Sequence, residues 1–216
     1  MYYNLEKIKK SYETFYENGM WYNRNGGSIS GLGSSIEYTR NFKKNLTDII
    51  LKYNIKKIFD CSCGDWFWMK EMRDNLEYYV GNDITKKLIE SNKHNFETEK
   101  IKFVCNDFKS QLSTYEDNEF DLSICRHTLE HLPYSYNKEG IEEIKRVSKY
   151  VIITSSNGEG NEKDIVVDEN WNGQSRCINL DDSPYFDLLG KPIFKFWDSI
   201  GEETSKGCFG YLYNFS

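Results

Sequence analysis

Two acidic residues and one glycine are spaced as in a nucleoside-binding site. Asp60 ends a short β-rich run, Gly64 lies in the turn after it, and Asp83 closes the next such run. In βαβ units an acidic side chain about 20 residues after the turn accepts ribose hydroxyls, and a glycine lets the backbone approach the ligand. The spacing therefore predicts that these residues bind an unphosphorylated ribose; the alternative is an acidic turn in a generic α/β protein.

A second candidate for chemistry is the segment RHTLEHLP, which follows the apolar run FDLSIC at residues 120–125. Ligands of a doubly wound sheet lie beyond the carboxyl ends of its strands, so this segment should face the reacting centre. An imidazole that titrates near neutral pH can take a proton from a hydroxyl. His127 is therefore the first candidate for a general base and His131 the second. An alternative is a divalent-metal site formed by His127, Glu130 and His131.

Apolar periodicity predicts the elements that position these segments. Strands are predicted at residues 56–59, in a run ending at Asp83, and at 101–105, 120–125, 150–155, 193–198 and 209–215. Helices are predicted within 1–24, at 35–53, from Trp66 or Phe67 onward, and at 86–95 and 139–147. Alternating strands and helices indicate a parallel α/β sheet covered on both faces, and the last two runs fit an antiparallel pair at its edge.

The two ends of the chain differ from this regular pattern. Residues 1–35 are predicted to form an amphipathic helix and a Gly/Ser-rich loop, ahead of one globular domain at 36–216. The loop can serve as a cap over the site or as a plain linker. A long irregular stretch at 170–192 is more typical of a functional loop than of a connection. Within it, Arg176 can bind a phosphate or carboxylate, or form a surface salt bridge.

Composition limits the class of protein. A chain of 216 residues, 38% of them hydrophobic, is long enough for one domain with a sizeable core. A formal net charge of −6 disfavours a nucleic-acid surface and favours a small-molecule acceptor. With no apolar run of about 18 residues and no secretory signal, a cytoplasmic protein without a membrane span is expected. The six cysteines lack disulfide or zinc spacing, so they are predicted to be small core residues.

These motifs resemble those of the class I S-adenosylmethionine-dependent methyltransferases. The turn DCSCGD, from Asp60 to Asp65, is similar to their acidic, glycine-containing first motif, and RHTLEHL is similar to their motif after the fourth strand. The resemblance covers about residues 36–216. It implies a Rossmann-like, doubly wound seven-stranded sheet, mostly parallel with an antiparallel C-terminal pair, preceded by an N-terminal helical cap.

The resemblance also implies the cofactor S-adenosylmethionine, with S-adenosylhomocysteine as product and a divalent metal as a less favoured addition. In this pattern Asp107 accepts the exocyclic amine of adenine and Phe108 lies against its ring, although Asp107 can instead cap a turn. The residues assigned to the cofactor are Asp60, Cys63, Gly64, Asp65, Asp83, Ile84, Asp107, Phe108 and Arg126.

Three segments, at 33–39, 63–69 and 173–180, resemble a subgroup from bacterial capsule and cell-surface polysaccharide clusters. The implied activity is O-methylation of a small polar acceptor, such as a nucleotide-activated or phosphorylated sugar precursor of a surface glycan. Arg176 and Trp171 are the candidates for binding that substrate. Alternatives are an N-methyltransferase of a small metabolite, a nicotinamide-dependent oxidoreductase, whose loop should hold more glycines, and a non-catalytic nucleoside-binding protein.

Overall fold

Seven strands form one mixed sheet in the computed structural model, which describes residues 4–21, 27–156, 161, 164–167, 173, 175–198 and 207–216. The strands are β1 (Lys57–Asp60), β2 (Tyr78–Asp83), β3 (Ile101–Cys105), β4 (Phe120–Cys125), β5 (Ser148–Ser156), β6 (Phe194–Trp197) and β7 (Cys208–Asn214). Their order is β3-β2-β1-β4-β5-β7-β6, and β7 is antiparallel to both neighbours while the other pairs are parallel. The predicted seven-stranded α/β fold is therefore confirmed.

Six α-helices and three 3₁₀ segments precede or connect the strands in the described part of the chain. The helices are α1 (Leu5–Glu17), α2 (Arg40–Lys52), α3 (Lys86–Phe96), α4 (Phe108–Leu112), α5 (Tyr134–Val147) and α6 (Tyr185–Leu189). The 3₁₀ segments are Leu32–Ser34, Met69–Asn75 and Leu129–His131. Among these helices, none combines the length and apolar character needed to cross a membrane.

Two predicted helices differ from the structure. No α-helix begins at Trp66, because its backbone is left-handed, with φ at +54°, and its ring is packed against Tyr79, Phe96 and Phe103. The crossover contains only the 3₁₀ segment Met69–Asn75. The helix predicted at 35–53 begins later, at Arg40, after a turn in which the Thr39 hydroxyl donates to the Ser35 carbonyl. Such side-chain bonds to the backbone compete with helix formation.

Apolar side chains cover both faces of the sheet. On one face, α2 packs on the strands through Phe42 and Leu46, and on the other face α5 packs through Ile141 and Ile144. Neighbouring strand residues alternate between the two clusters, as the period of two in a β-strand requires. The strand order reverses at β1, because β2 and β3 are added on one side of it and β4 and β5 on the other. In open α/β sheets ligands bind at the carboxyl ends of the strands beside such a reversal.

Candidate active site

A cavity of about 390 Å³ lies at the carboxyl ends of the central strands. Strand ends and the segments after β1 and β4 form one wall, while α1 and residues 30–34 form the other. Its described acidic lining residues are Asp60, Asp83, Asp107 and Glu130, and Arg126 is the one lysine or arginine among the described lining residues. This volume lies within the usual range for a small-molecule site, and the acidic wall suits a positively charged ligand.

Asp83, at the end of β2, is held by two backbone N–H groups. Gly64 N–H donates to Oδ2 over 3.1 Å, and Thr85 N–H donates to Oδ1 over 2.8 Å. Burial raises the pKa of this carboxyl, while the hydrogen bonds oppose the increase. Each carboxylate oxygen has a second lone pair and can still accept a ribose hydroxyl. The structure thus places Asp83 and the neighbouring Ile84 on the cavity wall.

Gly64 is required for a different reason from the one expected. Its φ is +56°, and a Cβ at this position would lie 2.6 Å from Ser30 Oγ. The close approach that the glycine permits is therefore with the segment before α2, in addition to any ligand in the cavity. An L-residue here would be strained by the backbone angle and would displace Ser30.

Asp60, at the end of β1, stabilises the first turn through hydrogen bonds of its buried carboxylate. Its Oδ2 accepts from the Tyr79 hydroxyl over 2.8 Å, and its Oδ1 accepts from Ser62 N–H over 3.3 Å. Burial raises the pKa of Asp60 to about 6 against the opposing effect of these hydrogen bonds. Cys63 is also buried, and its N–H donates to the Asn82 carbonyl over 2.8 Å. Both residues line the cavity and fix its floor.

The raised pKa predicts how Asp60 affects folding stability. Between pH 3.8 and about 6 the folded chain keeps a proton that the unfolded chain has released. The contribution of Asp60 is therefore complete below about pH 4 and is lost as pH rises through about 6. Asp60→Asn should remove this dependence, which denaturant unfolding of both proteins from pH 4 to 7 would measure.

Asp121→Asn provides the control of opposite sign. Burial acts to raise the pKa of Asp121, but hydrogen bonds from Lys149 and from Lys56 and Lys57 N–H groups outweigh it and hold the pKa below its usual value. The contribution of Asp121 is therefore present above pH 3.8 and is lost as pH falls through its folded pKa, so this control is measured from about pH 5 down to about pH 2. If the difference in unfolding free energy between wild type and Asp60→Asn does not change with pH, the raised pKa of Asp60 is contradicted.

Asp65 does not line the cavity, contrary to its predicted cofactor role. Its Oδ2 accepts from the Ser28 hydroxyl over 2.9 Å and from Ile29 N–H over 2.7 Å. Its own N–H donates to Ser30 Oγ, which also accepts from the Tyr16 hydroxyl over 3.1 Å. The negative charge of Asp65 is thus used to hold the N-terminal segment against the first turn.

Asp107 occupies the position expected beside an adenine and also caps α4. Its Oδ1 accepts from Ser110 N–H over 3.0 Å and from the Tyr136 hydroxyl over 2.9 Å. Phe108 is buried edge-on against Tyr136, and both it and Asp107 line the cavity. The cap that the sequence offered as an alternative is therefore present, and the adenine contact stays a prediction.

Arg126 is committed to protein groups on two sides. One terminal nitrogen donates to the Gly33 carbonyl over 2.9 Å, and the other donates to Asp198 Oδ2 over 3.0 Å. The guanidinium also lies over the Phe42 and Trp68 rings. Since both partners of the ion pair are buried, Arg126 joins the segment before α2 to the end of β6, and its charge is balanced within the protein.

His127, predicted as the first candidate for the general base, lies among polar groups of the protein. Its Nδ1 faces Glu130 Oε2 at 3.1 Å, and its Nε2 faces Asp198 Oδ2 at 3.4 Å and Cys208 Sγ at 3.6 Å. Burial acts to lower the pKa of His127, but the charge of Glu130 and the contacts with Asp198 and Cys208 together outweigh it and raise the pKa well above 6.5. Both ring nitrogens face protein groups, so His131 is the stronger candidate for the base, and the role of His127 as a base stays a prediction.

His131, the second candidate, lies on the cavity wall. Its Nδ1 is 3.3 Å from the Gly173 carbonyl, and its ring stands near those of Tyr12 and Trp21. A carbonyl oxygen only accepts, so Nδ1 carries the proton and Nε2 carries the lone pair. This tautomer has the form that a general base needs.

Arg176, predicted to bind the substrate, makes contacts with other residues of the protein. Arg176 donates to the Tyr185 hydroxyl over 2.8 Å and to the Leu132 carbonyl over 3.3 Å, and it pairs with Asp164 at 3.1 Å. It is not among the described lining residues, and the predicted phosphate contact stays a prediction. Trp171, the other predicted substrate residue, lies outside the described residues.

Sequence reasoning missed the aromatic wall of the cavity and the partners of His127. Tyr12 and Tyr16 reach the cavity from α1, where helical spacing predicted only a packed face, and Trp21 reaches it from the turn after α1. Asp198 and Cys208 lie far from His127 in sequence, and no local pattern connects them. The metal ligands suggested from sequence, His127, Glu130 and His131, do not all face one point. Glu130 faces His127 Nδ1, whereas His131 Nδ1 faces the Gly173 carbonyl.

Comparisons with known proteins agree with this geometry. Residues 59–150 match the family model described as a methyltransferase domain. A comparison with curated proteins gives no match. Among solved structures, the N-methyltransferase NodS from Bradyrhizobium japonicum in complex with S-adenosylhomocysteine is similar, with 10% identity and a TM-score of 0.61 over 93% of this chain and 97% of that chain.

Two archaeal structures are also similar, each with 17% identity. A Pyrococcus horikoshii protein gives a TM-score of 0.59 over 82% of this chain and 88% of that one. A SAM-dependent methyltransferase from Methanosarcina mazei gives 0.54 over 77% and 96%. At such low identities these structures show a shared fold only. The family match is a match of sequence, and residues 59–150 include the turn that forms the cavity floor. Residues 59–150, a little under half of the chain, thus match a methyltransferase domain, and the chain has the fold of S-adenosylmethionine-dependent methyltransferases.

Proposed function

We propose that this methyltransferase methylates a hydroxyl of a small polar acceptor, and that His131 is the general base. The observation that carries the proposal is the position of His131 on the cavity wall, with Nδ1 directed to the Gly173 carbonyl. His131 Nε2 then takes the acceptor's proton as the methyl group moves. Such proton transfer contributes about 10²–10⁴-fold to a rate.

The cofactor-binding residues fit S-adenosylmethionine, which supplies the methyl group. In this proposal Asp83 accepts the ribose hydroxyls, with Ile84 beside it, and Asp107 and Phe108 contact the adenine; all four residues line the cavity. Asp60 and Asp83 together make this wall acidic, which suits a cationic sulfonium. Cys63 and Gly64 act through their backbone and the shape of the turn.

An uncharged acceptor fits the cavity better than a phosphorylated one. Arg126 is paired with Asp198, and Arg176 is bound to Tyr185, Leu132 and Asp164. A phosphate would thus meet acidic groups with no uncommitted arginine on the described wall. The sequence resemblance to the polysaccharide-cluster subgroup supports a sugar hydroxyl, and the aromatic rings of Tyr12 and Trp21 provide flat apolar surfaces beside His131.

Residues 1–35 serve in this proposal as a cap that excludes water from the reaction. Their described part supplies Ile8, Tyr12 and Tyr16 to the cavity wall. Ser28 and Ser30 are joined by hydrogen bonds to Asp65 in the first turn. A dry site strengthens the charge interactions that position the reacting groups.

The test is mass spectrometry of neutral sugars, sugar nucleotides and small amines incubated with protein and S-adenosylmethionine. A gain of one methylene unit on a neutral hydroxyl compound, located on oxygen by fragmentation, is the expected result. Methylation on nitrogen would replace the proposal with the N-methyltransferase alternative, and exclusive modification of phosphorylated sugars would overturn the argument from the two arginines.

A further inference from the structure

Three potential ligands from separate parts of the chain meet beside the cavity. They are His127 after β4, Asp198 after β6 and Cys208 at the start of β7, and their ligand atoms lie within 4.8 Å of one another. We propose that His127 Nε2, Asp198 Oδ2 and Cys208 Sγ bind one divalent ion of the zinc class. This site is independent of the acceptor chemistry proposed above.

The distances among the three atoms match one face of a zinc tetrahedron. Nε2 and Oδ2 are 3.4 Å apart, Nε2 and Sγ 3.6 Å, and Oδ2 and Sγ 3.5 Å. Usual zinc bond lengths at tetrahedral angles give about 3.4, 3.6 and 3.6 Å for the same pairs. An ion can therefore be placed among these atoms with little movement of the side chains, and one position of the tetrahedron is left over.

The backbone holds two of the ligands in fixed register. Trp197 pairs with Phe209 across the β6–β7 hairpin, and Asp198 N–H donates to the Cys208 carbonyl over 2.9 Å. Asp198 and Cys208 are thus direct neighbours at the end of the hairpin, and both are buried. Neighbouring positions across a hairpin provide a stable base for two ligands.

The third ligand is oriented as metal-binding histidines usually are. His127 Nδ1 can donate its proton to Glu130 Oε2 at 3.1 Å, and Glu130 Oε1 is held by Ser156 N–H at 2.7 Å. A carboxylate partner on one ring nitrogen fixes the tautomer and leaves the other nitrogen with its lone pair. His127 also has a φ of +52°, unusual for a residue other than glycine, and this backbone directs the ring toward the hairpin.

One buried oxygen is left without a partner. Asp198 is 1% exposed, and its Oδ1 has no hydrogen-bond partner among the described residues. A buried carboxylate with an unsatisfied oxygen is costly unless a charge lies close. Arg126 supplies one such charge, and an ion bound to this carboxylate would supply a second.

Ligand types favour zinc over magnesium or calcium. Thiolate and imidazole are ligands for zinc, whereas magnesium and calcium prefer oxygen alone. Binding would release the Cys208 thiol proton and the Nε2 proton of the His127 imidazolium, so a neutral imidazole, a carboxylate and a thiolate would together balance the two charges of the ion. Without metal, an imidazolium between Glu130 and Asp198 beside a neutral thiol is also balanced, so the experiment must separate these two states.

Cobalt(II) titration of the chelator-treated full chain separates them. Wild type should bind one Co²⁺ per chain, with the visible bands of a tetrahedral ion and a near-ultraviolet thiolate-to-cobalt band, and Zn²⁺ should displace it. Cys208→Ser should lose the thiolate band, Asp198→Asn should weaken binding about tenfold or more, and Glu130→Gln should weaken it about 10–100-fold by freeing the His127 ring.

Cys177→Ser is the matched control, since Cys177 is an exposed cysteine outside the cluster, and it should keep both the stoichiometry and the thiolate band. S-adenosylhomocysteine binding by each variant reports that it is folded. A wild-type protein with no one-to-one cobalt site would overturn the proposal whether or not any variant folds. Survival of the thiolate band in Cys208→Ser, or its loss in Cys177→Ser, would also overturn it.

Discussion

His131→Asn is expected to lower the turnover number about 10²–10⁴-fold, the usual contribution of a general base. The asparagine amide can replace Nδ1 as donor to the Gly173 carbonyl, which His131 approaches at 3.3 Å. The substitution therefore removes Nε2 while keeping this contact. Affinity for S-adenosylhomocysteine, measured by calorimetry, should change little.

The pH profile distinguishes proton transfer from positioning. In the wild type, turnover with an acceptor identified by mass gain should rise with pH as the imidazole loses its proton, and this limb should be absent in His131→Asn. His94→Asn is the matched control, because His94 is an exposed histidine on α3. Near-normal turnover in His131→Asn would remove His131 from the mechanism, whereas a large loss with an unchanged pH limb would indicate a positioning role.

The strand ends could be predicted because topology alone decides where they lie. In a parallel sheet the residues after β1, β2, β3 and β4 meet at one edge, so Asp60, Asp83, Asp107 and His127 were placed correctly on the cavity wall from sequence. Their hydrogen bonds could not be predicted. Whether Asp107 caps α4, or whether His127 faces a carboxylate, depends on where distant side chains pack.

Three residues with functional roles predicted from sequence make contacts with protein groups for one common reason, and those roles stay predictions. Asp65, Arg176 and His127 are charged or polar groups in segments that look like loops, where a ligand is the obvious partner. The fold provides protein partners for each: the N-terminal segment for Asp65, Tyr185 and Asp164 for Arg176, and the C-terminal hairpin for His127. These partners lie 36, 9, 12 and 71 positions away in sequence, beyond the reach of a local pattern.

The helix that was predicted after β1 is absent from the structure for a similar physical reason. Residues 66–75 have no helix-breaking proline, and local propensity alone favoured a helix. Trp66 is instead fully buried against Tyr79, Phe96 and Phe103, and this packing fixes a left-handed backbone at +54°. Burial of a large aromatic side chain outweighs a helix propensity of a few tenths of a kcal/mol per residue.

Asp83→Ala is expected to weaken binding of S-adenosylmethionine and S-adenosylhomocysteine about 10²–10⁴-fold. The carboxylate would lose two charge-assisted hydrogen bonds to the ribose, each worth about 1.5–3 kcal/mol. Asp107→Ala would remove the predicted adenine contact and the α4 cap but no ribose contact, so it should cost less cofactor affinity. Isothermal titration calorimetry measures each affinity.

Loss of the turn is a competing explanation, because Asp83 also accepts from Gly64 and Thr85 N–H groups. A double-mutant cycle with 2′-deoxy S-adenosylhomocysteine separates the two effects. If Asp83 binds the ribose, wild type should bind the deoxy compound more weakly than the parent, and Asp83→Ala should bind both equally. Asp83→Asn keeps the size of the side chain, and the affinity that it loses with the deoxy compound should lie between the losses of wild type and Asp83→Ala. If removing the hydroxyl costs as much affinity in Asp83→Ala as in wild type, the carboxylate supports the turn and does not contact that hydroxyl.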